Sequence, residues 1–310
     1  MQLPELVNTF GHSIQKRFGH KVHKLTINAN FTCPNRDGVK GRGGCSFCNN
    51  ASFNPNTTQK IDIEKQLKSG SKVVVKRTGA KKYIAYFQAY TNTYADVSSL
   101  DELYQSVLER ENVIGISVGT RPDCLPIEVM ELLQKYRDAG HFVCLELGLQ
   151  SANNKTLENV NRGHDFNDYL QAIAKVRKYN IDICTHLIVG LPGENPEESL
   201  ITLNKVLDAG VNGLKLHPLH VVKNTTLAKQ WQNNKYTPLD MKDYVNVAAE
   251  MIRNTPAEIV FHRITGTAKR DILLAPEWCS KKWIVLNRIA ENLHQFGAQG
   301  HNTNSPFRGK

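Results

Sequence analysis

Residues 181–222 read IDICTHLIVGLPGENPEESLITLNKVLDAGVNGLKLHPLHVV. The stretch opens on an apolar, β-branched run that stops at Gly190-Leu191-Pro192-Gly193. β-Branched residues favour a pleated strand, and Gly and Pro punctuate its end. From Pro196 to Gly210, apolar residues recur at helical spacing behind an acidic first turn, and a glycine stops the run. Residues 213–222 return to strand character. A strand–helix–strand unit of this kind predicts two parallel strands joined by a crossover helix.

The unit repeats upstream. KLTINAN (24–30), KKYIAYFQAY (81–90), VIGISVG (113–119) and FVCLELGLQS (142–151) read as strands. Helices are expected over 61–78, 99–111, 126–139 and 165–179. Alternation of this kind predicts an α/β chain, a partial (β/α)6 barrel of the TIM type, with a doubly wound open sheet as the alternative. Either topology puts the chemistry at the C-terminal ends of the strands. The unusual residues do follow the strands: a cysteine-bearing loop from Phe31 to about Asn56, then Gly119-Thr120-Arg121-Pro122-Asp123, Gly148-Leu149-Gln150-Ser151, Gly190–Glu194 and His217–His220. After Val222 the alternation ends. Helices are expected at 238–254 and 282–296, with a short strand candidate at 258–266. The expected division is a core barrel with an N-terminal lead-in over 1–222, and a mainly helical extension packed on it over 223–310.

The 310 residues suit one large domain or one domain with an appendage, and 40% hydrophobic residues supply a sizeable core. Mean hydropathy is −0.40 and no apolar run approaches the length of a membrane span. The first twenty residues lack the apolar core of a secretory signal, so a cytoplasmic location with no membrane partner is expected. The net charge of +10 fits a nucleic-acid partner without requiring one. Basic residues gather near the start (Lys16, Arg17, Lys21, Lys24), at 72–82, and near the end (Lys281, Lys282, Arg288, Arg308, Lys310).

Seven cysteines in a reducing compartment do not suggest a disulfide framework. Cys124, Cys144, Cys184 and Cys279 stand singly and read as small buried residues. Cys33, Cys45 and Cys48 stand together in CPNRDGVKGRGGCSFC (33–48), with the spacing C-x11-C-x2-C. Thiolates suit zinc and iron–sulfur clusters. Three cysteines would leave one iron of a [4Fe-4S] cluster open. A Cys3His zinc site completed by His12, His20 or His23 is the alternative, because structural zinc takes four protein ligands.

The loop resembles the cluster loop of radical S-adenosylmethionine (SAM) enzymes, with Phe47 as the aromatic before the last cysteine. That loop usually reads C-x3-C-x2-C. The longer first gap here, with CPN…GCSFC, resembles the branch of the elongator catalytic subunit. VFHRITG (260–266) and LLAPEWC (273–279) are similar to a bacterial family within that branch. The resemblance implies that Cys33, Cys45 and Cys48 hold the cluster and that SAM chelates its open iron. It also implies that one electron, from a donor such as flavodoxin or ferredoxin, generates a 5′-deoxyadenosyl radical that abstracts hydrogen from the substrate.

The resemblance further implies the SAM-facing positions. Gln88 and Tyr90 end the second strand where many relatives carry Gly-Gly-Glu, and Tyr90 reads equally as barrel packing. Gly119, Thr120 and Arg121 fall near the ribose or methionine, with Asp123 as a ligand neighbour or a helix N-cap. By period two, Glu146, Gly148 and Gln150 share one face. A carboxylate there needs a partner, either SAM or a lysine or arginine network. Arg162 is expected at the SAM carboxylate, or else on the surface. Gly190 and Pro192 belong to a loop similar to the one that meets adenine. Lys215, His217 and His220, with His262 and Arg263, are candidates for an anionic substrate or for structural roles. No catalytic residue is assigned.

Three functions follow as expectations. In the first the substrate is tRNA, modified at the wobble uridine. The segment after Val222 reads as too short for an acetyltransferase domain, so remodelling of an existing uridine substituent is expected. In the second, a radical SAM enzyme acts on a small molecule or a protein. In the third, the chain is a non-catalytic metal-binding interaction protein.

Overall fold

The computed structural model describes residues 2–49 and 62–307. The end of the cysteine loop (50–56), residue 61 of the expected first helix, and Arg308 and Lys310 lie outside the described residues. Two short lead-in helices, α1 (Leu3–Leu6) and α2 (Phe10–Phe18), precede β1 (Val22–Ile27). The barrel units follow as α3 (Pro34–Asp37), α4 (Ile63–Thr78), β2 (Lys82–Phe87), α5 (Val97–Leu108), β3 (Val113–Thr120), α6 (Ile127–Asp138) and β4 (Phe142–Gln150). Next come α7 (Asn154–Asn159), α8 (Phe166–Arg177), β5 (Asp182–Val189), α9 (Pro196–Ala209) and β6 (Gly213–Pro218). The remainder is β7 (Val221–Val222), α10 (Thr226–Gln232), α11 (Met241–Arg253), β8 (Val260–Arg263), β9 (Leu273–Ala275), a 3-10 turn at Glu277–Ser280, and α12 (Lys282–Phe296).

One parallel sheet in the order β1-β2-β3-β4-β5-β6-β8 curls into an open barrel of TIM-like α/β type. The expected six strands become seven, because the 258–266 segment contributes β8 beside β6. The expected strand 213–222 is broken. Leu219 donates its N–H to Val189 O at 2.9 Å, and the chain resumes as β7, antiparallel to β9. β3 and β4 are buried almost throughout, as expected for a sheet covered on both faces.

Helix starts follow from side chains that accept orphan N–H groups, each worth about 1 kcal/mol. Asp165, Asn195 and Asp240 cap α8, α9 and α11 in this way. The β8 edge of the open barrel is covered by the segments around Asn8 and Gln299. Phe261 N–H donates to Asn8 O at 2.8 Å, Asn8 N–H donates to Gln299 Oε1 at 2.8 Å, and the fully buried Gln299 amide donates to Ile259 O at 2.8 Å. Cys124, Cys144, Cys184 and Cys279 are all buried, as expected of small apolar residues.

Candidate active site

A cleft with about 1200 Å³ of empty space opens at the C-terminal ends of the strands. Cys33, Cys45 and Cys48 line it. So do Gln88 and Tyr90 after β2, Gly119, Thr120 and Arg121 at the end of β3, Glu146 and Gln150 on β4, and Arg162. Gly190 and Pro192 are not among its lining residues. Gly190 turns with φ +88 and its carbonyl accepts from Tyr236 Oη at 2.8 Å, so this loop packs against the C-terminal segment.

The cysteine loop is pinned from several sides. Asn35 Nδ2 donates to Asn161 O at 2.6 Å, and Asn161 Nδ2 returns a bond to Gly44 O at 2.8 Å. Ser46 N–H donates to Val160 O, and Leu227 N–H donates to Ser46 O. Phe47 packs against the apolar cluster of Val160, Leu191, Leu219, Val221 and Leu227. Gly44 has φ +80, and a Cβ there would stand 2.9 Å from the Arg36 side chain, so only glycine fits this turn without displacement. Burial first, and the adjacent Cys45 sulfur second, push the Cys48 thiol up to about 12. Thiols held this way need a cation beside them to ionise.

Arg162 is buried rather than on the surface. Its Nη1 lies 3.4 Å from Cys45 Sγ, its Nη2 donates to Gly148 O, and its buried Nε has no hydrogen-bond partner. Arg121 is saturated differently. Its Nε and Nη2 grip Asp123 at 2.9 Å each, Nη1 donates to Arg162 O at 2.8 Å and Nη2 to Gly163 O at 3.0 Å. Asp123 is therefore not an N-cap; Pro126 holds that position on α6. Burial, the largest influence, would raise its carboxyl, but the hydrogen bonds and charge of Arg121, with Lys40 and His164, together outweigh burial and hold it well below the usual carboxylate range. Lys40 reaches the same carboxylate at 2.6 Å and ties the cysteine loop to the β3 end.

The other lining residues divide into bonded and free. Thr120 Oγ1 meets Thr93 Oγ1 at 2.5 Å. The side-chain amides of Gln88 and Gln150 face the cleft without a hydrogen bond to any described residue. Tyr90 and Gln150 hold φ of +64 and +84, left-handed values that cost a bulky residue energy and accumulate at ligand sites. At Gln150 the β4–β5 register also shifts, which breaks strict alternation and still leaves Glu146, Gly148 and Gln150 on the cleft wall.

Of the two partners open to Glu146, the structure contains the lysine network. Fully buried, its carboxylate takes Lys24 Nζ at 2.5 Å, Ser117 Oγ at 2.7 Å, His186 Nε2 at 2.8 Å, and the 2%-exposed Lys215. Burial would raise its pKa, but Lys215 and Lys24 more than offset this and hold it well below the usual range. Burial lowers Lys215 to about 8 against the pull of Glu146, and lowers His186 to about 4 and His262 to about 3. From the sequence Lys24 counted only as one of the basic residues near the start, and His186 and Tyr86, whose hydroxyl accepts from Lys215 Nζ at 2.9 Å, were not singled out. A lysine in a strand of mixed polarity carries no mark of the carboxylate it meets across the barrel.

The zinc alternative meets a geometric obstacle. His12, His20 and His23 are exposed, on α2, in the turn that follows it and at the start of β1 respectively. The cysteines follow the other end of that strand, about 20 Å away at roughly 3.3 Å per residue. Among the described residues no three His, Cys, Asp or Glu side chains converge on a single ion. A cluster of four irons spreads its ligands more widely than one ion does.

Residues 33–206 match the Radical SAM superfamily, and residues 211–295 match the Radical_SAM C-terminal domain. The chain belongs to the radical SAM superfamily. This radical SAM protein is 48% identical to Protein YhcC of Escherichia coli (strain K12) over 307 residues, 99% of this chain and 98% of that one. It is 30% identical to the tRNA uridine(34) acetyltransferase of Dehalococcoides mccartyi over 155 residues, 49% of this chain and 33% of that one. The fold is similar to that of the archaeal Methanocaldococcus infernus Elp3 with an N-terminal deletion. The TM-score is 0.66 and the identity 17%, over 90% of this chain and 64% of that structure. The radical SAM chain thus spans nearly all of YhcC but less than two thirds of Elp3. No helix among its described residues is long and apolar enough to cross a membrane. Membership implies a [4Fe-4S] cluster, SAM and an electron donor.

Proposed function

We propose that this radical SAM enzyme holds its [4Fe-4S] cluster on Cys33, Cys45 and Cys48, binds SAM along the adjoining cleft wall, and remodels a substituent on the wobble uridine of tRNA. The observation that carries the cofactor reading is the donor set. Three cysteines line one cleft, and a buried arginine beside them keeps one N–H without a partner. Soft thiolates fit iron, and a free guanidinium N–H fits a carboxylate. When bound, the cluster and SAM would supply a 5′-deoxyadenosyl radical that takes a hydrogen atom from the substrate.

The chain's own residues would bind and orient. Arg162 Nε would donate to the SAM carboxylate while its Nη1 stays on Cys45. The free amides of Gln88 and Gln150 would meet the polar groups of SAM. Tyr90, Gly119 and Thr120 would form the wall beside them. Arg121 would act at one remove, because its bonds to the 162–163 backbone fix the position of Arg162. Glu146 would hold the floor. A flavodoxin or ferredoxin would deliver the electron.

The tRNA reading rests on the similarity to a tRNA uridine(34) acetyltransferase over half of this chain, and on the +10 charge, which suits a phosphate backbone. Anaerobic reconstitution tests the first part: iron should bind to the native chain and be lost in the Cys33→Ala, Cys45→Ala and Cys48→Ala variants. A nucleoside profile of tRNA from a deletion strain tests the second. A changed wobble-uridine derivative is expected, and an unchanged profile would sink the tRNA reading.

A further inference from the structure

The charged groups of the cleft are matched, with one exception. Arg121 has Asp123, and Arg162 has Cys45 and the Gly148 carbonyl. Arg36 lies over the Tyr90 ring at 5.9 Å. Lys24 and Lys215 share Glu146. The Arg263 side chain lines the same cleft and has no hydrogen bond, ion pair or ring contact with any described residue.

Its position is specific. Arg263 ends β8, the seventh strand, in register with Lys215 of β6. It therefore stands at the depth of the lysine layer, while the cysteines follow the end of β1. Around it the cleft offers His217 and His220, both on the lining. His220 Nδ1 is buried without a hydrogen-bond partner. A glycine leaves room beside His217: a Cβ at Gly266 would stand 2.4 Å from His217 Nδ1. His217 is held well below its ordinary value by burial and next by Arg263, and so enters neutral, able to donate one hydrogen bond.

A guanidinium cannot shed its proton. With the cleft open, water hydrates Arg263. A substrate that fills the cleft removes that water, and an uncompensated charge left behind is strongly unfavourable. The local balance already leans positive, since Lys24, Lys215 and Arg263 face the single carboxylate of Glu146. An occupant that matches this corner must bring the missing negative charge.

We propose that Arg263, flanked by His217 and His220, is the anion-recognition end of the substrate site, and that the substrate carries a carboxylate or phosphate docked there. This rests on reading the cleft as the substrate site. The anion would anchor one end of the substrate at the floor and present the rest toward the cysteine loop. The fork of the guanidinium suits either oxyanion in two-point fashion.

The test is arginine labelling of the full chain, purified anaerobically. Phenylglyoxal modification at Arg263 is followed by peptide mass spectrometry, with sodium acetate and inorganic phosphate as separate competitors. Arg17 and Arg110, with side chains more than half exposed, serve as internal references. Arg263 should react in the free protein. It should react about tenfold more slowly when the matching anion is present at about ten times its dissociation constant, by mass action. Protection by acetate alone supports a carboxylate substrate, protection by phosphate alone a phosphate one, and protection by both supports the site with either anion. Protection no greater than at Arg17, or an Arg263 that never reacts, overturns the proposal. The labelling needs neither SAM turnover nor RNA. It can therefore fail while the cofactor and tRNA readings stand, and hold if the tRNA profile is unchanged.

Discussion

Lys24 Nζ on β1 lies 3.0 Å from His262 Nδ1 on β8, so the two edge strands of the sheet meet through side chains. No backbone ladder joins these edges. Lys24 also sits over the Phe10 ring at 4.2 Å, and the Phe10 and His262 rings lie 4.5 Å apart at a 52° tilt, so α2 fills the seam. Glu146 anchors the whole arrangement from the far side of the barrel. Glu146→Gln keeps the shape and removes the charge, leaving Lys24 and Lys215 buried without a counter-ion. A loss of about 3–5 kcal/mol is expected, read from urea unfolding of the native and variant chains.

The same carboxylate sets an acid limit. Its pKa in the fold lies well below the ordinary 4.5, so the folded state favours the ionised form. The stabilisation is complete above about pH 4.5 and disappears as pH falls through the folded value. The stability difference between the native chain and Glu146→Gln should therefore shrink as pH falls below about 4.5, where Lys215, lowered to about 8, is already charged. A difference that grew below that pH would contradict this assignment.

Arg121→Gln should loosen the turn at 162–163, because two backbone carbonyls and Asp123 lose their donor together. Removing one partner of a buried pair costs about 3–5 kcal/mol. Hydrogen exchange at Arg162, Gly163 and His164 should quicken more than in α5, which does not touch this pair. Equal quickening across the chain would mean global destabilisation instead.

Arg162→Lys tests geometry rather than charge. A lysine keeps one cation but cannot reach Cys45, Gly148 O and a third acceptor at once. SAM affinity in equilibrium dialysis should fall about 10- to 100-fold, the equivalent of about 1.4–3 kcal/mol for charged hydrogen bonds. Unchanged affinity would remove Arg162 from the SAM site.

A chain ended at residue 222 should not fold to a native-like barrel. It lacks β8, α11 and Gln299, and leaves the edge of β6 bare. Circular dichroism melting should lose its cooperative transition. A sharp transition would establish 1–222 as an independent unit.

The β/α units were legible because each carries local signals. The helix stop at Gly79, left-handed at φ +71, and the acid-rich start of α9 before its Gly210 stop were written in neighbouring residues. β8 was legible as a short strand but not as a member of the barrel sheet, since four residues give no hint of the partner they choose. The break after Pro218 was hidden for a similar reason. Leu219 turns to bond β5, and Val221–Val222 look no different from a continuing strand. In the site, the three cysteines stood out by their spacing, but it was the resemblance, not the spacing, that favoured a cluster over zinc. The ligands of Glu146 could not, because they come from β1, β3, β5 and β6, and each is an ordinary residue in its own strand. Arg121 and Asp123 were noted separately, one as a SAM-facing residue and one as a ligand neighbour or N-cap; their grip on each other and on the 162–163 backbone depends on a loop forty residues away.

The seam between Asn8, Phe261 and Gln299 also sets an order of events during synthesis. At about 5–20 residues per second, roughly 4–16 s separate the emergence of Pro218 from that of Gln299. Throughout that interval β6 presents an unpaired parallel edge, the kind of surface that invites pairing with a neighbouring chain. The growing protein therefore passes through a sticky stage that the finished one never shows. The seam that covers the β8 edge forms only once residue 299 has emerged, so the cleft walls stand before the clasp that holds them does.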